Sequence, residues 1–206
     1  LSFKDLLEEV DEERFDEKSS YAITRDLNIP NSFCSCEYVF VPLFECKNYI
    51  EKVKELKKKG VNIALDIPRS MFSREEKIAK ALDKLKSEGI THAMCHNIGA
   101  VYLCKEHGFD VHLSCFMNIA NSLSLNWAKN YGAQDVELSF ELDLNRINAL
   151  RPSLKSGVAA YGYLPLMMTR NCPLKSGGAT CATCKNNNKL QDRKGEEFTV
   201  VCDNNT

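Results

Sequence analysis

The stretch VNIALDI (Val61–Ile67), followed by SREEKIAKALDKLKSEG (Ser73–Gly89) and ITHAMC (Ile90–Cys95), decides the fold. An apolar run gives way to a polar turn, an amphipathic segment, a glycine and a second apolar run. Ile78, Leu82 and Leu85 recur at helical spacing, Ser73 and Glu76 read as a capping box, and Gly89 supplies the left-handed residue that ends a helix. The unit repeats on both sides. Apolar runs recur at Tyr38–Leu43, Phe109–Leu113, Asp135–Phe140 and Gly157–Tyr161, with Ser19–Thr24 as a candidate first strand. Between them, Lys47–Lys59 carries Ile50, Val53 and Leu56 ahead of Gly60, and Asn121–Tyr131 carries Leu123, Trp127 and Ala128 ahead of Gly132. Strand, helix and glycine alternate throughout.

Strands that alternate with helices at this short spacing imply parallel pairing through right-handed crossovers, in a doubly wound sheet or a barrel. No G-x-G-x-x-G follows a strand, so the dinucleotide fold lacks its fingerprint and a barrel is favoured. The expected class is α/β: a (β/α) barrel-like repeat, a partial or completed TIM barrel, with a C-terminal Cys-rich metal-binding loop. Six clear units, seven with Ser19–Thr24, fall short of the eight that close a regular barrel. With no initiating Met and an end at Thr206, four residues past the last cysteine, the chain reads as a piece of something longer. Its regions are 1–37, an acidic lead with the candidate first strand; 38–163, the barrel units; and 164–206, the Cys-rich segment.

At 206 residues and 44% hydrophobic the chain can bury one sizeable core, and 27% charged residues mark an ordinary globular protein rather than a disordered or fibrous one. No stretch approaches a membrane span and Leu1 to Val10 has no signal-peptide pattern, so a cytoplasmic location without membrane contact is expected. The net charge of −1 offers nucleic acid no global attraction, but it is unevenly spread. Residues 1–20 hold eight acids against three bases, whereas Arg170, Lys175, Lys185, Lys189, Arg193 and Lys194 face only Asp192 over 165–195. That basic segment is either a guide for phosphates or a solvated loop.

Of the ten cysteines, Cys172, Cys181, Cys184 and Cys202 fall in a Gly-, Asn- and Lys-rich segment that cannot pack a core. One C-x-x-C chelate is joined by two more distant thiols, a set that tetrahedral zinc and cubane iron–sulfur clusters both accept. Spacing alone favours neither. The other six cysteines lie among strand and helix patterns, and Cys95, Cys104 and Cys115 read as inert packing.

Strand ends of a barrel converge on one face, and the polar residues there are the candidates for chemistry. His96, Asn118 and Glu141 are the candidate catalytic residues; Asn97, Ser114, Ser139, Tyr161 and Arg170 are the candidate substrate contacts. Each has a plainer alternative. Glu141 serves as a base or supports the first turn of the next helix, and Asn118 and Asn121 hold substrate by their amides or cap helices. His92, on the same strand face as Met94, reads as a satisfied core residue. There is no H-E-x-x-H and no G-x-S-x-G, so no recognised peptidase machinery is visible.

YGYLPLMMTRNCP (Tyr161–Pro173), CATC (Cys181–Cys184) and LQDRKGEEF (Leu190–Phe198) resemble the collagenase-like peptidase family U32. HNIG (His96–Gly99), MNIANS (Met117–Ser122) and LSFEL (Leu138–Leu142) resemble that family's strand ends. The resemblance runs from about Tyr38 to Cys202 and is closest to the C-terminal part of the longer members. Tyr163 stands where many members have Arg, and Thr199 where Pro is usual. The family name implies proteolysis, yet its characterised relatives include proteins required for hydroxylating tRNA uridine, ribosomal RNA cytidine or the ubiquinone ring. Some hold cysteine-bound four-iron four-sulfur clusters. The resemblance therefore implies an iron–sulfur cluster (4Fe-4S), with zinc as the alternative, on Cys172, Cys181, Cys184 and Cys202. It implies an RNA partner through the basic 165–195 segment, and the N-terminal remainder of a longer chain as a further partner. Three functions follow: an iron–sulfur-dependent enzyme supporting RNA-base hydroxylation, a collagenase-like peptidase, or a zinc-stapled binding module.

Overall fold

The computed structural model describes residues 19–169, 171–178, 180 and 188–201. The chain divides into two compact units between Ala160 and Tyr161.

In the first unit β1 (Tyr21–Ile23), β2 (Tyr38–Pro42), β3 (Ile63–Asp66), β4 (His92–Cys95), β5 (Asp110–Leu113), β6 (Asp135–Glu137) and β7 (Ser156–Gly157) form one parallel sheet in chain order. Sequential parallel order is the barrel arrangement, and seven strands make a half-barrel, a partial TIM-like fold. The crossovers are α1 (Leu43–Asn48) and α2 (Ile50–Lys58) after β2, α3 (Glu75–Ser87) after β3, α4 (Ile98–Glu106) after β4, α5 (Ser122–Asn130) after β5 and α6 (Leu144–Asn148) after β6.

Residue alternation gives the sheet two faces of different character. Val39, Val41, Ile63, Leu65, Ala93, Cys95, Val111, Leu113 and Val136 belong to the large core, as do Ile78, Leu82 and Leu85 of α3. Burying each of those three α3 side chains contributes about 1.5–3 kcal/mol. The alternate positions form a second, small cluster of Phe40, Ala64 and Met94, bordered by Tyr21 and Tyr38. The sheet curls around it far enough for Tyr21 of β1 to hydrogen-bond Asp135 of β6. Lys155 likewise pairs with Glu37 at 2.8 Å.

Three local expectations are corrected. Ser73 is not a helix cap: it adopts a left-handed backbone (φ 56°), α3 begins at Glu75, and Arg74 precedes it without a side-chain cap bond. Glu75 and Glu76 in the first turn favour the helix instead through its dipole. Lys47–Lys59 is not one helix, because the chain breaks at Tyr49 (φ −120°, ψ 51°). The break lets Leu43, Phe44 and Cys46 of α1 and Val53 and Leu56 of α2 all reach the core. In α5 the buried face is Ser122, Leu125 and Ala128, while Trp127 lies on the surface stacked on Tyr131 at 5.1 Å. Trp127 sits two residues past Leu125, which turns it to the helix flank.

The second unit contains α7 (Pro173–Ser176) and an antiparallel hairpin of β8 (Asn188–Gln191) and β9 (Glu197–Val200). Asp192 closes its turn, Oδ1 accepting from the Lys194 and Glu196 amides at 2.7 and 2.9 Å. Gly195 supplies the φ of 87° that the turn requires. Among the described residues no helix is long and apolar enough to cross a membrane.

Candidate functional site

Because all seven strands run the same way, Asp66, His96, Ser114 and Glu137 meet at the C-terminal mouth of the half-barrel. His96 is held from both sides. Its Nε2 lies 2.6 Å from Asp66 Oδ1 and its Nδ1 2.7 Å from Ser114 Oγ. A carboxylate only accepts, so Nε2 carries the proton, and on the neutral ring Nδ1 accepts from the Ser114 hydroxyl. Ser114 Oγ also accepts from the Phe116 amide at 3.3 Å and is 1% exposed. The arrangement is an Asp–His–Ser relay whose serine is interior, so its present effect is to fix the imidazole.

Beside the relay, Glu137 Oε2 accepts from the Cys115 amide at 3.1 Å. Burial, followed by the Glu137 charge and opposed by Arg69, pushes the Cys115 thiol up to about 12. A thiol so raised is protonated at neutral pH and is no nucleophile. The Arg69 guanidinium lies 3.6 Å from the centre of the Phe116 ring. Its loop is pinned by Asn97, whose Nδ2 donates to the Arg69 carbonyl at 3.1 Å while Oδ1 caps α4 by accepting from Ala100 at 2.8 Å. Asn97 therefore caps a helix and locks a neighbouring loop with the same amide.

Of the remaining candidates, Asn118 is exposed and left-handed (φ 55°), following the short turn Cys115–Met117. Asn121 caps α5 through a capping box with Ser124. Ser139 is buried, its amide donating to the Ile119 carbonyl at 3.0 Å and its hydroxyl accepting from the Glu141 amide at 3.4 Å. Glu141 is exposed, and Asp143 rather than Glu141 caps α6. Tyr161, fully exposed, opens the second unit, where Cys172 precedes α7 and is partly exposed. Arg170, Cys181, Cys184 and Cys202 lie outside the described residues. Among the described residues no group of three or more His, Cys, Asp or Glu side chains has the arrangement of a metal site.

At the opposite end of the interior, His92 joins a chain not anticipated from the sequence. Tyr38 Oη lies 3.1 Å from His92 Nε2, His92 Nδ1 3.0 Å from His112 Nε2, and His112 Nδ1 2.8 Å from Asp135 Oδ2. Asp66, Arg69, Phe116 and Glu137 at the mouth were likewise missed. The signal for several of them is a polar alternation inside apolar runs: His92, Met94, His96; His112, Ser114; Asp135, Glu137, Ser139.

The sequence model described as peptidase family U32 matches residues 41–191. An uncharacterized protease of Methanocaldococcus jannaschii is 29% identical over 120 residues, covering 53% of this chain. The chain spans 29% of that relative's length. No solved structure gives a significant match. On the extent of the family match and the barrel geometry that accompanies it, the chain belongs to peptidase family U32.

Proposed function

We propose that this chain is the cysteine-bearing part of an enzyme that hydroxylates RNA bases, with an iron–sulfur cluster held by Cys172, Cys181, Cys184 and Cys202. The observation that carries this reading is the hairpin of the second unit. Asn188, four residues after Cys184, pairs with Val200, two residues before Cys202. Residues 188–200, which lie between Cys184 and Cys202 in the sequence, are thereby folded back on themselves, which suits a loop whose two ends each carry a ligand. Four thiols with one short chelate suit a cubane cluster, and zinc is the alternative occupant. A bound cluster supplies electron transfer or Lewis-acid activation.

The chain's own residues supply the rest. Hydroxylation replaces a base C–H by C–OH, a two-electron oxidation that balances with a hydroperoxide-class co-substrate: its outer oxygen enters the C–OH, its O–O bond breaks, and the alkoxide or hydroxide that leaves ends with the C–H proton. Glu141, exposed and free of ion pairs among the described residues, takes up the departing proton. His96, immobilised by Asp66 and Ser114, presents a fixed polar wall at the mouth, with Asn118 as an amide contact. Tyr161, Arg170 and the basic 165–195 segment contact the RNA backbone.

The test is mass spectrometry of RNA nucleosides from the producing cell, from a deletion strain and from one complemented with Cys172→Ala. Loss of a hydroxylated nucleoside in both altered strains is expected; unchanged nucleosides in both contradict the proposal. The second reading, a peptidase, draws on the Asp66–His96–Ser114 relay. It requires Ser114 to reach a peptide carbonyl, and casein cleavage by purified protein that vanishes in Ser114→Ala would select it.

A further inference from the structure

Four helices end on the same short motif, K-x-x-G. Lys57-Lys-Lys-Gly60 closes α2, Lys86-Ser-Glu-Gly89 closes α3, Lys105-Glu-His-Gly108 closes α4 and Lys129-Asn-Tyr-Gly132 closes α5. The glycines take the left-handed backbone that ends a helix, with φ between 73° and 88°. That backbone does not call for a lysine three residues earlier.

The lysines reach forward along the chain. Lys57 Nζ donates to the carbonyls of Glu88 and Gly89, each at 3.1 Å, Lys86 Nζ donates to the Gly108 carbonyl, and Lys105 Nζ donates to the Tyr131 carbonyl. Each amino group thus meets the C-terminus of the next helix. Two of them also lie over an aromatic ring beside that terminus, Lys86 over Phe109 at 5.0 Å and Lys105 over Tyr131 at 5.2 Å. Carbonyls at a helix C-terminus lack intrahelical partners and carry partial negative charge, so an ammonium group is favoured there both as a donor and through the helix dipole.

The glycine leaves room for the lysine that arrives. A Cβ on Gly89 would stand 3.4 Å from Lys57 Nζ, one on Gly108 3.6 Å from Lys86 Nζ, and one on Gly132 2.6 Å from Lys105 Nζ, closer than an ordinary contact. At Gly60, which no described lysine approaches, a Cβ would meet nothing within 4 Å. The two ends of the motif therefore serve different neighbours: the lysine reaches the following unit, and the glycine receives the preceding one.

We propose that K-x-x-G is an interlocking clasp, in which Lys57 fastens the end of α3, Lys86 that of α4 and Lys105 that of α5, so that each of these (β/α) units is tied to its successor. Helix C-termini lie at the N-terminal end of the strands, so the clasps run along the face of the half-barrel that serves stability, away from the mouth. Coupling of this kind acts between nearest neighbours, as in repeat proteins, and its loss is felt one unit downstream of the residue removed.

The test is amide hydrogen exchange of the full chain, read by mass spectrometry, in Lys86→Met and Lys105→Met. Methionine keeps the apolar stem and removes the donor. In Lys86→Met the Gly108 and Phe109 amides, which bond the carbonyls of Lys105 and Cys104, should exchange about two- to fivefold faster, with a smaller change at Gly89 and Ile90. Lys105→Met should act in the same way at Gly132 and Ala133, and Lys58→Met, which removes an exposed lysine with no bond among the described residues, should alter none of these amides. A change as large at the altered lysine's own helix end as at the next one, or no change at the next one, overturns the clasp. A thermal cycle provides the second measurement. Gly132→Ala should lower the melting midpoint less in a Lys105→Met background than in the unmodified chain, because part of its effect is to displace Lys105. Equal drops in the two backgrounds contradict the shared role of lysine and glycine.

Discussion

The two ends of the half-barrel interior are built from the same strands and the same alternation, yet they differ in how fully their polar groups are used. At the N-terminal end, Tyr21 and His112 both donate to Asp135, His92 donates to His112, and Tyr38 donates to His92. One direction of donation gives every ring nitrogen a partner. At the C-terminal mouth, among the described residues, the Asp66–His96–Ser114 relay and the Asn97 amide are closed in this way. Arg69 and Glu141 keep their hydrogen-bonding capacity for something else. In (β/α) barrels the N-terminal face serves stability and the C-terminal face serves chemistry, and here that division is written in saturated and unsaturated polar groups.

The comparison breaks most visibly if the mouth uses a thiol. The Cys115 thiol, raised to about 12 from the usual 9, has roughly a thousandfold less thiolate near neutral pH. Cys46 is raised to about 12 as well, by burial and then by Glu45. Mass spectrometry after iodoacetamide treatment of the folded protein should find exposed Cys34 modified while Cys115 and Cys46 stay intact. Rapid modification of Cys115 would make it a mouth nucleophile.

The next effect is on stability at the saturated end. Asp135→Ala removes the acceptor shared by Tyr21 and His112 and should destabilise the fold by about 3 kcal/mol in urea unfolding. A cost below about 1 kcal/mol would mean that this network is ornamental.

A pH dependence sharpens the same point. Burial, then the neighbouring His112, lowers the His92 pKa, with Asp110, Asp135 and Glu37 pulling it the other way. Lys155 lies beside Glu37, and Tyr38 and Tyr21 complete the surrounding groups. A histidine lowered on folding stabilises fully above its unfolded value of about 6.5, and that contribution is lost as the pH falls below it. Protonation would also place a hydrogen on Nε2, where Tyr38 already donates. Thermal unfolding should therefore move to lower temperature as the pH falls below about 6.5, and His92→Asn should flatten that slope. The smallest effect belongs to the mouth: Arg69→Ala should change stability by no more than about 1 kcal/mol, the loss of one partly exposed cation–π contact.

The strand order was legible because each apolar run recurs behind a helix and a glycine, as in Val61–Ile67, Ser73–Gly89 and Ile90–Cys95. Gly60, Gly89 and Gly132 all take the left-handed backbone expected of helix ends. The interior was legible only in part: His92 reads as a satisfied core residue, and it is hydrogen-bonded there, but its partners are not visible in the same runs. Within them, His92, His112 and Asp135 recur on the inward face, and their partners lie many residues away. His96 was visible as a polar residue at a strand end, but Asp66 was hidden inside an apolar run and Arg69 in the loop after it. Pairings of this kind depend on register between strands, which local pattern does not encode.

The most direct test of the central claim is the iron and acid-labile sulfide content of anaerobically purified protein, compared with Cys172→Ala and Cys104→Ala. The account predicts iron and sulfide in about a four-to-four ratio per chain, lost in Cys172→Ala and retained when the buried Cys104 is replaced. Stoichiometric zinc without iron, or equal iron in the two variants, would contradict it.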